Sequence, residues 1–240
     1  MTFKVKDTNL KIVGFFGQSG AGKTTIIKSV AEKSGGRKVI RNTGVIRYLF
    51  SKNPNAYKSP QDFIAQRDSI MAEANPGSQI ATMQERYIKS QLQLMNDFST
   101  EVFNSARADY SVPSVMLFDR CPLDFHALTE CGMNHLISVF GGKVNRNHAY
   151  FLEREKETAV YNTKHFFDAI FVVKPWADGS INGLSDGVRD QYLNPFYTGN
   201  NWYSKLEGID VGPTKIFFID ENITSLEARA RFVESKLKEI

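Results

Sequence analysis

A chain of 240 residues that is 42% apolar and 23% charged can bury a full hydrophobic core, and with no long low-complexity run it is expected to form one domain over 1–240. No uninterrupted apolar stretch approaches the roughly 20 residues that cross a bilayer, and the opening MTFKVKDTNLK carries no secretory segment, so the expectation is an intracellular, cytoplasmic protein with no membrane partner. Thirty basic and 26 acidic side chains give +4, compatible with an anionic partner without requiring one, and the two cysteines, Cys121 and Cys131, read as buried thiols.

Lys11 to Phe16 (KIVGFF) reads as a strand, and TTIIKSVAEK, with apolar residues at helical spacing, as a helix. Between them Gly17-Gln18-Ser19-Gly20-Ala21-Gly22-Lys23-Thr24 fits G-x-x-x-x-G-K-[ST] completely. Glycines let such a loop turn its N–H groups toward phosphate oxygens, and the helix behind it presents the positive end of its dipole. Gly17, Ser19, Gly20, Ala21, Gly22, Lys23, Thr24 and Thr25 are therefore the candidate nucleotide contacts, with Lys23 bridging the β- and γ-phosphates and the Thr24 hydroxyl on Mg²⁺. ATP and Mg²⁺ are the expected cofactors.

A second strand is expected at Lys38 to Arg41. A guanidinium at its end, with Arg47 about one helical turn further on, suits an acceptor that already carries a phosphate; the alternative is that Arg41 pairs with a nearby carboxylate. From about 44 to 110 the chain is polar, with helices expected at Ser59 to Ala74 and Gln79 to Ala108. Arg67, Gln84, Arg86 and Tyr87 in that region are either base-reading residues or ordinary helix-face residues.

The third strand, Ser114 to Phe118, delivers Asp119 to its carboxyl end, where open α/β sheets bind ligands. Asp119 would hold Mg²⁺ or accept the proton of an attacking hydroxyl, and Arg120 would sit beside the transferring phosphoryl group. Asp124, on a helix entered through Pro122, either supports the acceptor site or stabilises that helix's first turn. His126, Glu130 and His135 lack a metal-site spacing, so no metal beyond nucleotide-bound Mg²⁺ is expected.

After a helix at Arg146 to Thr163 and a strand at Ala169 to Val173, Lys174 to Asn194 is glycine-rich, polar and too long for an ordinary connection. It reads as a functional or mobile loop that carries Arg189, either as a lid or as a surface loop whose arginine is solvated. Aromatic residues in and after it (Trp176, Tyr192, Phe196, Tyr197, Trp202, Tyr203) either stack on bases or belong to the core. A last strand at Lys215 to Ile219 and a helix at Thr224 to Glu239 complete an α/β pattern. Its apolar runs are continuous rather than alternating, which predicts a five-stranded parallel sheet with helices on both faces.

Absences narrow the class. Asp119 is followed by Arg-Cys-Pro rather than a D-x-x-G element, no N-K-x-D occurs for guanine, and no L-S-G-G-Q signature occurs for a transporter ATPase. Phe118 to Leu128 (FDRCPLDFHAL) resembles the D-R-x-x-x-D-x-x-A segment of P-loop nucleoside and nucleotide kinases, in particular the branch that includes the nicotinamide riboside kinase domain and related phage kinases. Lys174-Pro-Trp followed by Asp186-Gly187-Val188-Arg189 resembles the strand-then-lid segment of the same branch. With the phosphate loop the resemblance spans most of the chain and leaves a phage origin open. It implies a P-loop kinase-like fold, a helical region at about 44–110 covering the acceptor, a lid at about 174–194, and an Arg189 that closes over the phosphates.

Many relatives carry an acidic residue where this chain has Arg41-Asn42-Thr43-Gly44, a departure that argues against a simple nucleoside acceptor. The resulting expectation is an ATP-dependent kinase acting on a hydroxyl of a nucleotide-type acceptor. That acceptor is either a nucleoside monophosphate or a 5-hydroxymethyl pyrimidine in DNA, since the phage branch includes kinases for 5-hydroxymethyluracil in DNA. Lys23, Arg120, Asp119 and Arg189 form the expected catalytic set, Arg41, Arg47 and Asp124 the acceptor set, and Thr24 and Asp119 the metal set. The competing expectations are a nucleoside kinase, or a non-kinase P-loop ATPase acting as a nucleotide-dependent binding module.

Overall fold

The computed structural model describes residues 9–18, 20–33, 38–42, 45–53, 60–73, 77–107, 112–140, 146–175, 203, 206 and 208–240. Five strands, β1 (Leu10–Phe16), β2 (Lys38–Asn42), β3 (Ser114–Phe118), β4 (Ala169–Val173) and β5 (Lys215–Ile219), form one all-parallel sheet in the order β2-β3-β1-β4-β5. The first helix, α1 (Lys23–Lys33), links β1 to β2; α2 (Val45–Lys52), α3 (Pro60–Met71) and α4 (Gly77–Ala106) link β2 to β3. Beyond β3 come α5 (Pro122–Phe140) and α6 (Arg146–Phe166), and α7 (Leu226–Leu237) follows β5. Among the described residues no helix is long and apolar enough to cross a membrane.

Alternation along the strands divides the core in two. Val13, Phe15, Val115, Leu117, Phe171 and Val173 face α1 and α7, meeting Ile26, Ile27, Val30, Ala230 and Val233. Leu10, Ile12, Phe16, Met116, Phe118 and Val172 face the opposite way, onto Leu94, Met95 and Phe98 of α4, Leu123 and Phe125 of α5, and Ala159 of α6. Gly14 belongs to that second face, and a Cβ there would lie 2.8 Å from Cys121 Cβ and 3.0 Å from the Phe167 ring. The glycine leaves the space in which the β3–α5 turn packs down on β1. Both cysteines are buried, and neither forms a disulfide.

The five strands lie where the continuous apolar runs put them, with β1 and β2 each one residue longer than expected. Full cover on both faces holds for β1, β3 and β4 but not for β2 and β5. Those two are the sheet's edges: Arg41 is exposed on one and Phe218 is 53% exposed on the other. An edge strand has a neighbour on one side only, so an apolar run there does not guarantee burial on both faces. Helix α2 has no counterpart among the predicted elements, because its short run VIRYLFSK lies in a region read only as broadly helical.

Helices α4 and α5 approach closely at Gly132. A Cβ there would fall 2.2 Å from Tyr87 Cζ, and the Tyr87 hydroxyl donates to Leu128 O at 2.7 Å. Tyr87 and Gln84 are buried within this interface rather than presented to a base. Gly132→Ala gains about 1 kcal/mol of helix propensity, but the overlap with the Tyr87 ring outweighs it. A net loss of about 1–3 kcal/mol is expected in urea unfolding. Gly77→Ala, where a Cβ meets nothing within 4 Å, serves as the control and should leave the midpoint unchanged or raise it.

Candidate active site

The carboxyl ends of β1 and β3 are adjacent, since Gly14 pairs with Phe118 and the strands run parallel. The loop after β1 and the turn after β3 therefore emerge side by side at the edge of the sheet where α/β folds bind ligands. Gly17 opens the loop at φ 157°, and a Cβ on it would lie 2.6 Å from Val173 O at the end of β4. Only glycine fits that approach. Gly20 and Gly22 follow at φ 82° and 85°, the left-handed turns that curl the backbone back into α1.

Lys23 begins α1, and its Nζ returns across the loop to donate to Gly17 O at 2.7 Å and Gln18 O at 2.9 Å. Burial, and next the charge of Arg120, lower its pKa from 10.5 to about 8, while Asp119 and Asp124 pull it upward. Thr24 Oγ1 donates to Asp119 Oδ2, joining the helix start to the end of β3. One hydroxyl and one carboxylate make an all-oxygen pair, which fits Mg²⁺, a hard cation that completes its shell with water and phosphate oxygens. Ala21 is buried and Thr25 exposed, whereas Ser19 lies outside the described residues.

Arg120 Nη1 donates to Gly17 O at 3.2 Å and to Asp124 Oδ1 at 3.1 Å. Asp124 is fully buried. Its Oδ1 also accepts the Gly17 N–H at 3.1 Å, and its Oδ2 accepts the Cys121 N–H at 3.0 Å. The last contact is half of a capping box: Pro122 takes the first helical position of α5, and the acid two residues on reaches back to the cap residue's N–H. Burial raises the Asp124 pKa, opposed by Arg120, Lys23 and the two N–H donors. Cys121 Sγ lies 3.4 Å from Asp124 Oδ2, and burial together with that carboxylate pushes the thiol pKa well up, so it stays protonated.

The fold thus brings Gly17, Lys23, Thr24, Asp119, Arg120 and Asp124 together. Arg41 pairs with Leu117, which places it on the α1 side of the edge strand, while Asn42 pairs with Phe118 on the side of α4 and α5. Arg47 lies on α2 with its side chain outside the described residues, and Arg189, with the whole expected lid beyond Pro175, lies outside them too. Arg67 is held by Asp68 and His135, and Arg86 by Gln66. Tyr203 donates to Val173 O at 2.8 Å and meets Phe16 edge-on, a core role. His126 sits away from this cluster, its Nδ1 3.7 Å from Glu155 Oε2.

One neighbour of the site escaped the sequence reading. Arg229 of α7 is fully buried and donates to Lys174 O and Ile223 O, both at 2.8 Å, and to Pro175 O and Asp220 O at 3.4 Å. It fastens the end of β4, beside Gly17, to the turn after β5. A signal was present: Arg229 lies within the apolar stripe Leu226, Ala230, Val233, Leu237, where a solvated arginine does not belong.

No known family profile matches the chain, and no curated protein matches it in sequence. Its structure matches that of deoxyadenosine kinase from M. mycoides with bound dATP, with a TM-score of 0.58 at 14% identity over 95% of this chain and 99% of that one. This is a P-loop kinase-like fold.

The low pKa of Lys23 has a consequence for the ligand-free protein. Its unfolded-state value of 10.5 exceeds the folded value of about 8, so between those limits the unfolded chain binds more protons and stability rises with pH. The cost of burying the ammonium is full below pH 8 and gone above 10.5. Lys23→Met removes that cost, so its stability advantage over wild type should shrink as pH rises from 8 to 10 in paired urea titrations. A difference that stays constant with pH would show that Lys23 is not held in this way.

Proposed function

We propose that the protein is an ATP-dependent kinase that transfers the γ-phosphate to a hydroxyl of a nucleotide-type acceptor. The observation that carries this reading is the convergence of Lys23 and Arg120 on the Gly17 carbonyl, beside the Thr24–Asp119 pair, at the ligand-binding edge of the sheet. Two cations held by a loop that curls its amides inward make a receptor for a polyphosphate. An arriving triphosphate favours the charged form of Lys23, so the lysine that is costly in the free protein is matched in the complex. Thr24 and Asp119 would hold Mg²⁺, which would supply positive charge against the phosphate oxygens.

Within this reading Arg120 lies beside the transferring group, and the alternative role for Asp119, in place of holding the metal, is to accept the proton of the acceptor hydroxyl. Arg189 is the proposed further cation, carried on the segment after β4. The acceptor is covered by the helices between β2 and β3, and the phosphate that it already carries is met by Arg47 and, reaching round the end of β2 from the α1 side, by Arg41. A nucleoside monophosphate and a 5-hydroxymethyl pyrimidine in DNA both meet that requirement, while the fold shared with a deoxyadenosine kinase supports a kinase of nucleosides or nucleotides and is equally compatible with the alternative, a nucleoside acceptor. The arginine already in cis at the loop favours a kinase over an ATPase that awaits a partner's arginine.

The test incubates the protein with Mg²⁺ and γ-labelled ATP against nucleosides, nucleoside monophosphates and oligonucleotides containing a 5-hydroxymethyl pyrimidine. Label is expected on a phosphate-bearing acceptor, and Lys23→Ala should reduce it by at least about 100-fold. Arg41→Ala should weaken acceptor binding by about 1.5–3 kcal/mol and leave ATP affinity alone. A greater loss from Asn42→Ala would place the acceptor on the α4 and α5 side of the sheet. Label released only to water sinks the kinase reading, and an uncharged nucleoside labelled best, indifferent to Arg41→Ala, sinks the acceptor reading.

A further inference from the structure

Resting on the kinase reading above, we infer that Asp124 is a positioning residue: it clamps the Gly17 peptide and the Arg120 guanidinium into one unit, and it acts on phosphoryl transfer through Arg120. Gly17 is gripped at both ends. Its N–H donates to Asp124 Oδ1, and its carbonyl accepts from Arg120 Nη1 and Lys23 Nζ. Arg120 Nη1 reaches Asp124 Oδ1 as well, so carboxylate, guanidinium and peptide close a triangle with edges of 3.1, 3.1 and 3.2 Å. The remaining carboxylate oxygen is bonded to the Cys121 N–H and thiol, which fixes its plane on the first turn of α5.

The chemistry of these contacts singles out a carboxylate. Both oxygens of Asp124 accept, Oδ1 from an amide and a guanidinium, Oδ2 from an amide and a thiol. An asparagine has one accepting oxygen, and whichever way it turns, its NH₂ meets N–H donors. A glutamate brings an extra methylene into a site with no exposed surface. Burial raises the Asp124 pKa, and Arg120, Lys23 and the two amides oppose that shift, so the contacts of the clamp are the ones that favour the carboxylate form. A group spent on the donor loop and its arginine is not a ligand for the acceptor.

The experiment compares wild type, Asp124→Asn, Arg120→Ala and the double variant by steady-state transfer and by ATP titration. Asp124→Asn should lower kcat on the order of 100-fold, as expected for a misplaced charged group, and leave acceptor KM within about threefold. Because Asp124 acts through Arg120, the double variant should transfer no more slowly than Arg120→Ala alone; full additivity overturns the clamp. A raised acceptor KM at unchanged kcat overturns it too, since it would place Asp124 on the acceptor. Should Asp124→Asn not fold, the Gly17 amide of wild type carries the test. Bonded to a buried carboxylate it should exchange with solvent slowly, and exchange as fast as an open loop would refute the clamp. Wild type that binds no ATP refutes the phosphate-loop reading instead. Wild type that labels an acceptor as fast as Asp124→Asn does refutes the clamp alone.

Discussion

The site depends on the packing around one peptide. Gly17 stands where the end of β1 meets the end of β4, close enough to Val173 O that no side chain can intervene, and its N–H and carbonyl are held by groups from the β3–α5 turn and from α1. Parallel pairing brings these segments to the same edge, since every strand of the sheet points its carboxyl end that way. Three separate stretches of chain therefore set the geometry of one loop, and a shift in any of them moves the groups that face the ligand.

That geometry works against stability. Lys23 and Asp124 are withdrawn from water, and that burial depresses the lysine pKa and raises that of the aspartate. Mutual pairing offsets part of the cost, and the apolar layers on both faces of the sheet supply the rest. Arg229 shows the same economy without a ligand role, its charge spread over backbone carbonyls at the ends of β4 and β5. A cation used in this way stiffens the strand end against which Gly17 packs.

A P-loop kinase-like fold hosts many chemistries, so the residues around the loop rather than the fold decide what this one takes. Arg41 and Asn42 are the informative pair. They are adjacent in the chain yet leave opposite faces of an edge strand, one toward α1 and the other toward α4 and α5. In the proposed reading, an acceptor met by Arg41 is read by a fixed charge that favours a phosphate, and one met by Asn42 by an amide that does not require it.

The sequence by itself determined the features that local chemistry dictates. Continuous apolar runs located the five strands because a buried parallel strand must be apolar at successive positions. The glycines of 17–22 marked the loop because only they reach its backbone angles, and Pro122 marked the start of α5 because its fixed φ suits a first helical position. Tertiary structure decided everything that needs two distant segments in register. Strand order made β2 and β5 the edges and so exposed residues that their composition would bury. The register of β2 on β3 turned Arg41 one way and Asn42 the other, and packing made buried anchors of Tyr87, a base-reading candidate, and of Arg229, which the sequence reading had not singled out. Asp124 is the clearest case: its spacing from Arg120 was visible in the chain, but its bond to the Gly17 amide joins residues 107 positions apart. No local pattern encodes such a bond, because it exists only once β1 and β3 lie side by side.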